Sequence, residues 1–190
     1  LPEFTAEDRE MILGSSDFFG LNHYTTMFAA NSDASSVQED IAGNGGISED
    51  QDVSLSQDKS WQLTAMGWAV VPWGCRKLLQ WITERYDQPT IYITENGFAC
   101  KDKEVNGGVD DSETRLSYYK DYLTACQKAI DNGVDLKGYF AWSMFDNFEW
   151  ALGYSARFGL NWVDYKTLER IPKASAKGFS KVIDRNSIEV

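Results

Sequence analysis

The chain has 190 residues, 43% hydrophobic and 25% charged, with a formal net charge of −11 at pH 7. That composition supports one globular core rather than a disordered tail, and the acidic balance argues against nucleic acid or an anionic membrane as partner. No apolar run nears the ~20 residues that span a bilayer; the single histidine cannot build a Ser-His or multi-histidine site from this chain alone, and Cys75, Cys100 and Cys126 match no zinc spacing.

Taken in order, Leu1-Pro2-Glu3-Phe4 leads into a short helix capped by Thr5, with Asp8 three residues on and Met11, Ile12 and Leu13 following, until Gly14-Ser15-Ser16 ends it. Residues 17–24 read as a strand. Its first part is apolar and its last three residues are polar or amphipathic, the gradient of a barrel strand emerging into an active-site mouth. Residues 29–60 are dominated by Ser, Asp, Gly, Asn and Gln, with Gly43-Asn44-Gly45-Gly46 as a loop signal. Strand and helix patterns resume beyond it, so it reads as a long loop within one domain, not a linker. Residues 75–86 predict a helix with Leu78, Leu79, Ile82 and Tyr86 on one face.

Gln88-Pro89 then punctuates the entry to Thr90-Ile91-Tyr92-Ile93-Thr94-Glu95-Asn96-Gly97-Phe98. Ile91, Tyr92 and Ile93 are strand formers, and Asn96-Gly97 breaks the strand. Glu95 sits where the strand ends, and because strand side chains alternate faces it shares a face with Ile91 and Ile93. The carboxyl ends of parallel strands are where α/β proteins place chemistry. Residues 110–113 predict a capping-box start for the most regular helix, in which Leu116, Tyr119, Leu123, Cys126 and Ile130 recur at intervals of three and four and Asn132-Gly133 is the stop. Residues 136–143 form a third strand. It opens into Met144-Phe145-Asp146-Asn147-Phe148-Glu149-Trp150-Ala151, where aromatics, acids and an amide crowd a loop. A sugar pocket gives such a loop a reason: carboxylates accept bidentate hydrogen bonds from vicinal hydroxyls, and Trp faces stack on ring C–H groups. Ile171-Pro172-Lys173 starts a last helix through Phe179, Val182 and Ile183.

The run Ile-Tyr-Ile-Thr-Glu-Asn-Gly ending at Gly97 closely resembles the nucleophile motif of glycoside hydrolase family 1, the β-glucosidase family, and the resemblance covers nearly all 190 residues. It implies that Glu95 attacks the anomeric carbon. Asn22 and Tyr24 match an inward-pointing Asn and Tyr, the Tyr hydroxyl contacting the nucleophile, while His23, of opposite parity, packs behind the strand. Met66-Gly67-Trp68 resembles the element whose Trp, here Trp68, is a platform for the leaving group. The 142–150 run resembles the family's final-strand motif. It implies that Trp142 stacks under the glycone and that Glu149 and Trp150 hydrogen-bond its hydroxyls far from the anomeric carbon. Phe158 is implied near the hydroxymethyl end, and Asp146 and Asn147 read as structural.

Three strands in βα order give an α/β class with parallel strands. The resemblance identifies them as about strands six to eight of a (β/α)8 TIM barrel, residues 1–190 being the C-terminal segment of a single glycosidase domain. An eight-unit barrel takes about 250 residues, and the chain opens at Leu1 with neither an initiator Met nor a signal peptide, so an N-terminal part of the same barrel is the expected partner. The implied reaction is retaining hydrolysis of non-phosphorylated β-D-glucosides or short β-linked oligosaccharides, galactosides and fucosides remaining open, with no metal and no cofactor. Its second carboxyl must lie about 5–5.5 Å from the nucleophile. The family carries it in an Asn-Glu-Pro motif that this chain lacks, so it is expected from the N-terminal part. Two other readings stay open on these residues: a sugar-binding, receptor-like relative, and an inactive piece of a barrel.

Overall fold

The computed structural model describes residues 2–31, 53–102 and 109–188. Its centre is a three-stranded parallel sheet in the order β1-β4-β5, made of β1 (Phe19–Asn22), β4 (Ile91–Asn96) and β5 (Leu136–Ala141). A helix follows each strand in the chain: α2 (Pro72–Arg85), α3 (Ser117–Asp131) and α4 (Ala174–Arg185). This is the βα alternation read from the sequence. It fits the part of a (β/α)8 barrel that the resemblance implies.

Local chemistry sets most of the boundaries. In α1 (Ala6–Ile12) Thr5 and Asp8 complete a reciprocal capping box, Asp8 N donating to Thr5 Oγ1 at 3.1 Å and Thr5 N to Asp8 Oδ2 at 2.9 Å. The second helix begins at Pro72, earlier than its apolar face suggested, because proline's missing N–H costs nothing in the first turn. Gly133, at φ 88°, terminates α3 as expected. At the front of that helix the capping box does not form. A π-helical turn, Ser112–Leu116, precedes α3, and the Asp111 carboxylate is taken by Arg115 and by the Ser175 N–H and hydroxyl. The buried face of α3 is also rotated from the expected one. It comprises Tyr118, Tyr119, Tyr122, Ala125, Cys126 and Ala129, whereas Ile130 is 42% exposed.

The main core lies between one face of the sheet and helices α2 and α3. Leu21, Ile91 and Ile93 pack there with Leu79, Ile82, Tyr119 and Tyr122, and burying each aliphatic side chain stabilises the fold by about 1.5–3 kcal/mol. Among the described residues the opposite face is open: Phe18 is 53% and Phe140 57% exposed. The long-loop reading of 29–60 needs correction at its ends. Here β2 (Phe28–Asn31) and β3 (Val53–Ser56) pair as an antiparallel ribbon; residues 32–52 lie outside the described residues. Ile171 and Pro172 close a second small ribbon, β6 (Asn161–Val163) with β7 (Arg170–Pro172), before α4 begins.

Candidate active site

The site gathers at the carboxyl ends of the three strands, and one extra residue in β4 decides its geometry. Leu21 pairs with Ile93 but Asn22 with Glu95; on the other side Ile93 pairs with Tyr139 but Asn96 with Ala141. This bulge breaks the alternation that placed Glu95 with Ile91 and Ile93. Ile91, Ile93 and Asn96 are fully buried toward the helices, while Glu95 is turned to the open side, half-buried.

There the Tyr24 hydroxyl donates to Glu95 Oε2 at 2.6 Å. Burial and this hydrogen bond, with the Glu95 charge adding to them, push the Tyr24 phenol well above its ordinary pKa, so it stays a donor. The Tyr24 ring packs against Trp68 (5.3 Å between centroids) and Phe158 (5.8 Å). Trp142 joins the same cluster. Phe158 is 2% exposed, so it backs the Tyr24 and Trp68 rings from beneath. Asn22 stands beside the group, its Oδ1 accepting from Thr94 Oγ1 at 2.6 Å.

Trp142 N donates to Asn96 O at 2.8 Å, and the Trp142 carbonyl lies so close to Gly97 that a Cβ there would collide with it. The Glu149 carboxyl is half-buried. Its pKa is raised by burial and then by the negative charge of Glu95, so the two carboxylates act on each other. Trp150 stands apart at the rim, 81% exposed, with φ 41°. That left-handed conformation costs a non-glycine residue about 1 kcal/mol or more, and the turn bonds Glu149 N to Gly153 O (2.7 Å) and Gly153 N to Trp150 O (3.0 Å) hold it.

The Glu149 loop is anchored by a buried ion cluster that sequence spacing did not reveal. Asp146 accepts from Arg157 at 2.5 Å, from Lys173 at 2.9 Å and from the Gly159 N–H at 2.9 Å. Lys173 also reaches Asp102 at 2.6 Å, and Asp102 accepts from Arg115 at 2.8 Å. Burial alone would raise the Asp102 pKa; Arg115 and Lys173 override it and hold it below the usual carboxylate range. Asp146 is thus structural, and Asn147 likewise donates to Ser143 Oγ at 2.9 Å. Arg157 stacks on Trp162 and Tyr165. No group of three or more His, Cys, Asp or Glu side chains suited to a metal ion occurs among the described residues.

His23 is packed behind the strand, 6% exposed, with Nε2 3.5 Å from Thr26 Oγ1. Burial lowers its pKa to about 4. The sign follows: the unfolded chain takes up a proton near pH 6.5 and the native state only near 4. Stability from this group is therefore complete above 6.5 and lost as pH falls through 4, by up to about 3 kcal/mol. Urea unfolding of the complete barrel, measured between pH 7 and 4, is expected to show that loss, and His23→Gln to flatten it. Equal acid sensitivity of both proteins between pH 6.5 and 4 would rule His23 out as the cause.

The family model for glycosyl hydrolase family 1 matches residues 1–188. β-Glucosidase 4 of Oryza sativa subsp. japonica is 42% identical over 198 residues, covering 100% of this chain and 40% of the relative. The cytosolic β-glucosidase of Homo sapiens is 42% identical, with 100% and 39% covered. Among solved structures, the β-glucosidase from Thermotoga maritima in complex with deoxynojirimycin superposes with a TM-score of 0.84 at 39% identity, over 100% of this chain and 39% of that one. The chain therefore spans about two fifths of the length of these relatives.

Proposed function

The chain belongs to glycosyl hydrolase family 1, and from that premise we propose that it carries the nucleophile side of a retaining β-glucosidase site, with Glu95 as the nucleophile. The observation that carries the reading is the 2.6 Å hydrogen bond from Tyr24 to Glu95 Oε2 at the bulged strand end, beside an aromatic wall. Tyr24 occupies Oε2, and Oε1, which accepts no hydrogen bond among the described residues, attacks the anomeric carbon. The attack forms a glycosyl ester on Glu95, which water then hydrolyses with net retention. The acid and then base for the two steps is a second carboxyl from the part of the barrel that this chain does not contain. Trp142 serves as the floor for the glycone. Glu149 and Trp150 take its distal hydroxyls, with Asn22 beside the reacting end. Trp68 is the platform for the leaving group, and Phe158 supports Trp68 and Tyr24.

The preferred sugar is neutral. A 6-phosphate would meet the Glu149 carboxylate in a partly desolvated pocket, which repels a dianion. The nearest cation in sequence, Arg157, is committed to Asp146 and to the Trp162 and Tyr165 rings. The test uses the complete barrel with a 4-nitrophenyl β-glucoside and its 6-phospho counterpart. The unphosphorylated substrate is expected to have the higher kcat/KM, and NMR is expected to show the β-anomer of glucose first. Binding without turnover would favour a receptor-like relative, and an α-anomer first would overturn the retaining mechanism.

A further inference from the structure

Behind Glu95, on the helix side of the sheet, one fully buried side chain touches all three strands. The bulge throws Asn96 inward, and its amide makes bonds that the slipped backbone ladder cannot. Asn96 Nδ2 donates to His23 O at 2.6 Å, at the end of β1, and to the Tyr118 hydroxyl at 2.8 Å, on α3. Its Oδ1 accepts from the Tyr139 hydroxyl, on β5. Both amide hydrogens and the carbonyl are thus engaged, and His23 N in turn donates to Glu95 O at 2.9 Å.

Helix α3 continues this layer. The Tyr118 hydroxyl, accepting from Asn96, donates to Tyr24 O at 3.3 Å. Tyr122 donates to the same carbonyl at 3.4 Å, its ring stacked on Tyr118 with centroids 4.2 Å apart. Tyr119 donates to Trp142 O at 3.2 Å. One hydroxyl, that of Tyr118, therefore ties the backbone of Tyr24 to the residue following Glu95. These are the two supports of the Tyr24–Glu95 hydrogen bond.

We propose that Asn96 and Tyr118 are positioning residues for the nucleophile: from behind the sheet they set how the Tyr24 hydroxyl and the Glu95 carboxylate face each other, without touching substrate. The proposal rests on the reading of Glu95 as nucleophile. A carboxylate on a bulge lacks the regular ladder that fixes its neighbours, and displacement of a nucleophile by a fraction of an ångström slows attack more than it weakens binding. Tyr118→Phe keeps the ring stack and removes both bonds of the hydroxyl. Tyr139→Phe, the second variant, removes the donor to Asn96 Oδ1.

The experiment uses the complete barrel and 2,4-dinitrophenyl 2-deoxy-2-fluoro-β-glucoside, which esterifies a retaining nucleophile and stalls there. For each variant the rate constant of labelling is expected to fall about 10- to 100-fold while the dissociation constant of a neutral, unreactive glucoside changes less than about twofold. Leu79→Ala is the comparison: Leu79 lies in the same buried core, on α2, and touches none of these bonds. It should lower the unfolding temperature and leave labelling within about twofold of the parent. Parental labelling rates in both tyrosine variants, or an equal slowing in Leu79→Ala, would overturn the proposal. Peptide mapping of the labelled parent separates the two levels: a label on a residue other than Glu95 overturns the nucleophile reading itself, and this proposal with it.

Discussion

Replacing Glu95 by Gln in the complete barrel is expected to abolish turnover, with a loss on the order of 10⁴-fold or more in kcat. The amide is nearly isosteric. The Tyr24 hydroxyl can still donate to its oxygen, and the ring packing of Tyr24 on Trp68 and Phe158 does not depend on the charge. What disappears is a nucleophile able to form a glycosyl ester. Sugar binding should therefore survive largely intact, measured as the dissociation constant of a neutral, unreactive glucoside. A secondary effect has a definite sign: without the Glu95 charge, one of the two causes that raise the Glu149 pKa is gone, so Glu149 ionises at lower pH. A kcat loss of less than about tenfold on an aryl β-glucoside would remove Glu95 from the role.

Glu95 was legible as a candidate because its run of a strand, a carboxylate and a breaker resembles the family's nucleophile motif. Its orientation was not. Alternation predicts that Glu95 follows Ile91 and Ile93, and the extra residue at Thr94 inverts this, a feature that local pattern does not encode. The same limit hid Asn96, which reads as part of a turn and is instead the fully buried tie between strands. In α3 the apolar intervals selected Ile130, which is exposed, over Tyr118 and Tyr122. Periodicity weighs side chains by hydrophobicity and does not see that a buried hydroxyl has a carbonyl to serve. The ion cluster was beyond reach for another reason: Lys173 and Asp102 are 71 positions apart, and only the folded chain brings them together.

A polypeptide of residues 1–190 by itself is expected to show no β-glucosidase turnover and no cooperative unfolding. The argument starts from the sheet. Its outer strands, β1 and β5, each pair on one side only within the three-stranded sheet, and unpaired strand edges are sites of association. Parallel sheets are stable when both faces are covered. Here one face is buried by α2 and α3, while the other presents Phe18 and Phe140, both more than half exposed. The proposed retaining mechanism adds a second requirement, a carboxyl about 5–5.5 Å from Glu95 to protonate the leaving group and then activate water. Relatives more than twice as long as this chain build the rest of a barrel from their remaining length. A polypeptide supplying those strands would pair both edges, cover Phe18 and Phe140 and bring the second carboxyl opposite Glu95. Mixing the two separately produced parts should restore hydrolysis of an aryl β-glucoside, with a rate that rises with the concentration of each. If residues 1–190 alone are monomeric, unfold cooperatively and hydrolyse the glucoside at the rate of a complete barrel, the assignment of the second carboxyl to the rest of the barrel fails.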